Sequence, residues 1–185
     1  QRAVTLAEML DAAPTGAEMG LRRDRAMAGE LARILKEVYE SGAKDEASIK
    51  LQEYLCSALG KFEVEEGIEA LVLAAAPEKE EALLPVRLAA VSGLAELVSR
   101  LVGDPQLASE ELERLRANAD LQKRLIETTR DIRDSSETTA LRVDEIRSRA
   151  AFTLGLIGGA ENLDRLAAML SDRSSNVRNN ATFGL

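Results

Sequence analysis

IRSRAAFTLG at positions 146–155 returns, residue class by residue class, as VRNNATFGL at positions 177–185. Within the first copy Ile146, Ala150 and Leu154 are four residues apart, so they lie on one face of a helix. A helical unit of about 30 residues cannot bury such a face alone and must stack on copies of itself. The repetition therefore predicts an all-α chain of stacked helical hairpins.

Two further copies lie upstream. VRLAAVSGLA at 86–95 keeps the β-branched residue, the arginine, the small pair and the leucine at the same offsets. LQEYLCSALG at 51–60 is weaker, because glutamine replaces the arginine and larger residues replace the alanines. The arginine position recurs at intervals of 35, 60 and 31 residues, at positions 52, 87, 147 and 178. The repeats are thus irregular in the middle of the series.

The interval of 60 residues favours one hairpin with unusually long helices, over 85–133. Pro85 suits the first turn of a helix, where its missing N–H has no intrahelical partner to lose, and no breaker follows until Gly103. Ser109 can then act as the N-cap of a second arm. The residues of this arm run to Arg133 without a glycine or proline.

A degenerate extra repeat within 103–143 is the alternative, because the Asn118-Ala119-Asp120 step could interrupt the second arm. In either case we assign residues 1–48 to N-terminal helices that could form a degenerate repeat. Residues 49–185 form the repeats proper, and the whole chain is expected to be one continuous array.

Upstream of the repeats, helices are predicted from Thr5 to Leu10 and from Ala17 to Tyr39. Gly42 suits the left-handed position that follows a helix, and Asp45 can cap the helix that contains the weak copy. No stretch of the chain shows sustained β alternation. The fold class predicted is therefore all-α.

The arrangement resembles the HEAT repeat, particularly the short HEAT-like variety found in phycobilisome lyases and in many bacterial scaffold proteins. The matching residues are Asp172 at the close of a second helix, Arg178 at the start of the next first helix, and Leu154-Gly155. The resemblance covers 144–185 and, more weakly, 49–102. It implies a right-handed α-α superhelix.

In the HEAT-like family, aspartate and arginine form a polar ladder that runs from repeat to repeat. The resemblance implies such a ladder at Arg147, Asp172 and Arg178, and extends it to Arg87. We expect Arg147 and Arg178 to lie in line at the repeat junction. Asp172 should accept a hydrogen bond from at least one of them.

The charge balance argues against nucleic acid as a partner. Some HEAT-like proteins are DNA glycosylases, which hold a duplex in a basic groove, and phosphate binding needs clustered Lys and Arg. This chain has a net charge of −8 and a pI near 4.8. Its densest basic run, Arg22-Arg23-Asp24-Arg25, is interrupted by an acid. Weak or undetectable duplex binding is expected.

The residue inventory offers little catalytic chemistry. Histidine is absent and Cys56 is the single cysteine, which excludes Ser–His and Cys–His pairs, ordinary Cys/His zinc sites and any intrachain disulfide. Cys56 occupies the slot that Ala151 fills in another repeat, so a packing role is favoured. The acidic runs at 63–66 and 78–81 lack metal-ligand spacing and are interpreted as solvated. No catalytic residue, cofactor or metal is predicted.

These features favour a non-catalytic scaffold that binds a protein partner on a concave surface lined by the second helices. In the hairpin from 145 to 171, Leu163, Leu166 and Leu170 share the predicted packing stripe. Arg165 and Met169 then project elsewhere, free to contact a partner. The alternative is that Arg165 is only solvated and that Met169 is half-buried against the next repeat. The competing class is a lyase-like or other ligand-handling enzyme on the same repeats, although no residue matches a lyase's catalytic group.

A cytoplasmic location without membrane contact is the expectation for this segment, since it is neither disordered nor transmembrane in composition and contains no visible signal sequence. It begins without methionine and stops inside a repeat. The sequence is therefore interpreted as a piece of a longer protein, in which a signal or an anchor could lie elsewhere.

Overall fold

The computed structural model describes residues 20–77, 81–103, 108–131 and 137–185, and within these ranges the chain is all-α, with no strand. Short 3-10 turns at Glu65–Gly67 and Glu81–Leu83 lead into α3 and α4. The predicted helix from Thr5 to Leu10 lies outside the described residues. The α-helices are α1 Arg25–Glu40, α2 Glu46–Leu59, α3 Ile68–Ala74, α4 Leu84–Gly103, α5 Ala108–Ala117, α6 Ala119–Thr128, α7 Glu137–Ile157, α8 Ala160–Met169 and α9 Ser175–Phe183.

The helices that carry the repeated motif pack side by side in chain order. Helix α2 packs along α4, α4 along α7, and α7 along α9; we call these four the first-layer helices. A second series contacts in the same order, α3 with α6 and α6 with α8, and we call these three the second-layer helices. Helix α1 packs on α2 and α3, while α5 lies against α4, α6 and α7.

One core cluster extends from α1 to α9, and the predicted apolar face lies within it. Ile146, Ala150 and Leu154 are all buried, as are Val177 and Ala181 of the last copy. The prediction that these offsets form the packing face is confirmed. Because each face is covered by the neighbouring copy, burial of the core depends on the helices stacking together.

Helix α4 lies at the centre of the first layer. The stretch Glu81–Gly103 is long and apolar enough to cross a membrane by length and composition, with a mean hydropathy of 1.5 in its most apolar window. However, 61% of that window is buried inside the protein, between α2 on one side and α7 on the other. This burial accounts for its apolar composition.

Two predicted helix ends are confirmed. The Asp45 carboxylate accepts a hydrogen bond from the Ser48 N–H at 3.1 Å and begins α2. Gly42 has φ = 68°, the left-handed conformation that glycine adopts without a steric penalty.

The long helix predicted from Ala17 to Tyr39 is wrong, because Asp24 interrupts it. The Asp24 side chain accepts from the Met27 N–H at 3.0 Å, and its extended backbone makes Arg25 the start of α1. Asp24 had appeared in the sequence only as the acid within a basic run, whereas it is an N-cap.

The long second arm predicted after Ser109 is also wrong. Helix α5 ends at Ala117, and Asn118 caps a new helix, α6, by accepting from the Leu121 N–H at 3.0 Å. Helix α6 ends at Thr128 and contacts both α3 and α8. The extra residues in the middle of the chain thus supply an additional helix, α5, and a regular second-layer helix.

Pairs of glycines bring the backbones of two first-layer junctions into contact. A Cβ on Gly93 would lie 2.4 Å from the Cys56 carbonyl oxygen, and one on Gly60 would lie 2.7 Å from the Gly93 Cα. Gly155 and Gly184 show the same relation, with separations of 2.4 and 2.6 Å to each other's Cα. Any side chain at these positions would push the helices apart.

The two glycine pairs occupy equivalent positions in the repeat. Gly60 and Gly155 follow the arginine position of their copies by eight residues, whereas Gly93 and Gly184 follow it by six. At the middle junction, between α4 and α7, the same offsets hold Ala95 and Thr153. The middle junction therefore has no glycine pair to bring its helices into backbone contact.

Candidate functional site

A groove of about 720 Å³ lies on the first layer, at the junction that has no glycine pair. Ala95 of α4 and Phe152 of α7 line its apolar part. The Phe152 ring packs against that of Phe183, with the two centroids 5.3 Å apart. These two side chains give the groove an apolar surface, and charged side chains form its walls.

Two short ion-pair clusters form these walls. On the α4 side, the Lys61 ammonium is 3.1 Å from the Glu96 carboxylate, and Arg100 is 3.9 Å from the same carboxylate. On the α7 side, Arg149 pairs with Glu145 at 3.0 Å. The lining therefore contains three cationic and two anionic side chains. It is locally cationic in a chain whose net charge is −8.

Of the three cations in this lining, Arg100 has the longest ion-pair contact. Within the described residues, its Nε is buried without a hydrogen-bond partner. Its terminal nitrogen lies at the edge of ion-pair distance from Glu96, which Lys61 already holds more closely. A buried donor without an acceptor costs roughly 1–3 kcal/mol. A carboxylate in the groove would add an acceptor for the accessible part of the Arg100 side chain, which is 29% exposed.

Helix α9 closes one end of the groove with polar groups that are held in place. The Asn180 amide donates to the Ser148 carbonyl at 3.0 Å and to its hydroxyl at 2.8 Å. The Ser148 hydroxyl in turn donates to the Asn176 carbonyl at 3.0 Å. These bonds fix α9 against α7, so this end of the groove is already formed without a ligand.

The residues assigned to the polar ladder meet mainly at the junction of α7 and α9. Both terminal nitrogens of Arg147 face the two carboxylate oxygens of Asp172. Arg147 also donates to the Asp144 carboxylate at 3.2 Å and, through Nε, to the Thr129 carbonyl at 2.9 Å. Arg178 donates to the Asp172 main-chain carbonyl at 2.7 Å. Asp172 thus joins the two arginines, through its carboxylate on one side and its carbonyl on the other.

Arg87, the fourth residue assigned to the ladder, lies in α4 and is fully buried in the core. The sequence missed Asp144 and Thr129 as partners of Arg147. Thr129 follows α6, a helix outside the repeated motif, so no repeat offset pointed to it. Asp144 is three residues before Arg147 on the same helix, a spacing that favours contact.

The assignment of Met169 and Arg165 to a free binding surface is wrong. Met169 is 2% exposed and belongs to the core, whereas Leu163 and Leu170, which were expected to pack, are 40% and 41% exposed. The helix is rotated from the predicted phase, so that the buried face of α8 consists of Asn162, Leu166 and Met169.

Arg165 is held by the end of α6. Its Nε donates to the Thr129 hydroxyl at 2.7 Å and a terminal nitrogen donates to the Thr129 carbonyl at 3.1 Å. Burial, followed by the nearby charge of Arg147, lowers the pKa of Arg165. The carbonyl end of a helix attracts cations, so Arg165 fastens α8 to α6.

Substitutions in α8 should distinguish its buried, hydrogen-bonded and exposed residues by their effects on stability. Leu166→Ala should lower the free energy of unfolding by about 2–5 kcal/mol, because the side chain is fully buried. Arg165→Ala should cost about 1–3 kcal/mol through its lost charged hydrogen bonds. Leu163→Ala, at an exposed position, is the control and should change stability by less than about 1 kcal/mol. Urea denaturation followed by circular dichroism measures all three; equal effects of Leu163→Ala and Leu166→Ala would contradict the observed helix phase.

Cys56 packs in the core of α2, as its place in the repeat predicted. Burial raises the pKa of its thiol far above the usual range, and only the thiolate reacts readily. We expect Cys56 not to react with an aromatic disulfide reagent in the folded protein. After denaturation in urea, the same reagent should modify one thiol per chain. Rapid labelling of the folded protein would contradict this packing.

The acidic run at 63–66 is not simply solvated. Glu66 binds Arg25 at 2.7 Å, and the same guanidinium binds Glu111 of α5 at 2.8 Å. Burial and then a hydrogen bond with Glu111 raise the pKa of Glu65. Burial acts to raise the pKa of Glu111 as well, but its bonds with Glu65 and Arg25 outweigh this and lower it. The network ties α1 and α5 to the turn before α3.

Comparison with known proteins does not identify this chain, which matches no protein-family model, no curated protein and no solved structure. Among the described residues, no group of three or more Cys, Asp and Glu side chains is arranged to hold a metal ion. The interpretation of its function therefore rests on the groove and on the contacts around it.

Proposed function

We propose that this chain is a non-catalytic protein–protein interaction module, built as a short right-handed solenoid of HEAT-like hairpins. The order of packing supports this architecture, because each first-layer helix contacts the next in chain order and the second-layer helices do the same. The recurrence of the glycine contact at equivalent repeat positions also supports it. Solenoids of this kind offer extended surfaces to their partners.

The single observation that carries the proposed function is the groove between α4 and α7. Its volume of about 720 Å³ suits a segment of polypeptide, and its mixed lining offers both apolar contact and polar groups of fixed position. Arg100, whose contact with Glu96 is long and whose Nε has no hydrogen-bond partner among the described residues, favours a segment that carries a carboxylate. We therefore place the partner on the first layer, and not on the second-layer face that the sequence favoured.

The chemistry of the groove supports binding over catalysis. Both of its carboxylates, on Glu96 and Glu145, are already paired with a cation, at 3.1 and 3.0 Å, and are not free to accept a proton from a substrate. The hydroxyls of Ser92 and Ser148 donate their protons to main-chain carbonyls, at 2.6 and 3.0 Å, and not to a side chain that could act as the base of a nucleophile. We propose no cofactor, nucleic-acid or membrane role for this segment.

The proposal can be tested with a photocrosslinking amino acid placed at Ser99, in the groove, or at Lys123, on the exposed second-layer face. In the cells that produce the protein, the Ser99 position should capture a specific polypeptide. Arg100→Glu should abolish this adduct by reversing the charge beside it, whereas Arg142→Glu, a charge reversal elsewhere on α7, should leave it intact. Specific adducts from Lys123 alone would place the partner on the second layer and overturn the proposed site.

A further inference from the structure

A second, smaller cavity lies at the other side of α7, where the loop between α7 and α8 meets α5 and α6. Its volume is about 180 Å³, and it is lined by Arg116, Gln122, Asn162 and the Gly158-Gly159 loop. Both loop glycines have positive φ, at 69° and 103°. The cavity shares no lining residue with the groove.

Two buried side-chain oxygens in this lining have no hydrogen-bond partner among the residues that the structure describes. Asn162 is 1% exposed, and its amide nitrogen donates to the Gly158 carbonyl at 2.8 Å while its Oδ1 is unpaired. Gln122 is 5% exposed, and its amide nitrogen donates to the Leu115 carbonyl at 2.6 Å while its Oε1 is unpaired. Buried acceptors of this kind are normally satisfied, so the cavity calls for a ligand that donates hydrogen bonds.

The same cavity also offers donors. Helix α8 begins here without a side-chain cap, and the N–H groups of a first helical turn have no intrahelical acceptor. Arg116 lies beside them: its Nε donates to the Ile157 carbonyl at 2.6 Å, and a Cβ on Gly158 would lie 3.3 Å from its terminal nitrogen. A guanidinium and the start of a helix together favour a carboxylate.

We propose that this cavity binds the α-amino carboxylate group of a small amino acid. The carboxylate would bind Arg116 and the first N–H groups of α8, and the ammonium would donate to Asn162 Oδ1 and Gln122 Oε1. Glu161 also lines the cavity, and its charge favours a ligand with a positive group over a simple anion. The C-terminus of a polypeptide offers the same carboxylate with an adjacent N–H donor, so it is the second source of this chemistry.

The test is a titration of the ¹⁵N-labelled protein, followed through the backbone amide resonances of Gly159, Ala160 and Glu161. Four probes are compared at millimolar concentration: alanine, the dipeptide acetyl-Ala-Ala, acetate and inorganic phosphate. Saturable shifts with alanine alone would assign the site to free amino acids, and shifts with the dipeptide as well would extend it to polypeptide C-termini. No saturable shift with either, or equal shifts with acetate or phosphate, would overturn the proposal.

Two variants of the cavity and one control outside it complete the test. Ala160→Pro removes one N–H from the cavity, and proline is well tolerated at the first position of a helix. It should weaken alanine binding by about tenfold with an otherwise unchanged amide spectrum. Arg116→Gln should weaken it likewise, whereas Arg124→Gln, which replaces an exposed cation on α6 outside the cavity, should not. Alanine binding that is unchanged in both Ala160→Pro and Arg116→Gln would also overturn the proposal.

Discussion

Gly93→Ala should lower the free energy of unfolding by about 3 kcal/mol or more. The new Cβ would lie 2.4 Å from the Cys56 carbonyl oxygen, which is backbone and cannot move aside as a side chain would. The whole of α4 would have to shift away from α2, and the buried side chains along that junction would lose contact. Chemical denaturation followed by circular dichroism measures the loss.

Gly29→Ala is the matched control for this substitution. Gly29 lies inside α1, and a Cβ there would meet nothing within 4 Å. Because alanine is the better helix former, this change should stabilise the protein by about 0.5–1 kcal/mol. If Gly93→Ala lowers the free energy of unfolding and Gly29→Ala raises it, the close approach of two helices is the reason for glycine at position 93. A Gly93→Ala variant as stable as the original chain would rule out the backbone contact.

Asp172→Ala should cost about 3 kcal/mol or more, because it leaves the buried Arg147 guanidinium without its two-oxygen partner. Arg147 is only 4% exposed, so water cannot replace the carboxylate easily. Denaturation in urea, with the midpoint and slope both recorded, measures the effect.

Glu145→Ala provides the comparison, since it breaks an ion pair with Arg149 in which both side chains are exposed. Pairs of this kind contribute little, so the expected cost is below about 1 kcal/mol. If Asp172→Ala and Glu145→Ala lower the free energy of unfolding by similar amounts, the buried Arg147–Asp172 contact stabilises the junction of α7 and α9 no more than an exposed ion pair does.

The sequence predicted the packing face of the repeats because helical spacing alone determines which residues share a face. Ile146, Ala150 and Leu154 could be identified in this way. The rotation of α8 could not be identified, since leucines at 163, 166 and 170 fit a stripe as well as the observed buried set of Asn162, Leu166 and Met169 does. Only packing against the neighbouring helices selects between the two sets. Arg165 and Met169 were misassigned for this reason.

The groove was not predicted because it depends on pairs of helices. Gly155 appeared in the sequence only as part of the repeated motif, and its role emerges only when Gly184 is seen against it. Comparison of the repeat offsets could have given a signal: glycines meet at two junctions, whereas Ala95 and Thr153 stand at the equivalent offsets of the middle one. The N-cap Asp24 was visible as a residue type, but its helix boundary was not. The break at Asn118 was one of the two alternatives that the sequence left open, and the structure selects it.

The central claim is that the middle junction of the first layer binds a protein partner through its groove. The most direct measurement is the dissociation constant of the polypeptide captured at Ser99, determined by isothermal titration calorimetry for the original chain, Arg100→Glu and Lys123→Glu. We expect binding at least tenfold weaker for Arg100→Glu, a loss of about 1.4 kcal/mol, and unchanged binding for Lys123→Glu. Undiminished affinity in Arg100→Glu together with lost affinity in Lys123→Glu would contradict the account.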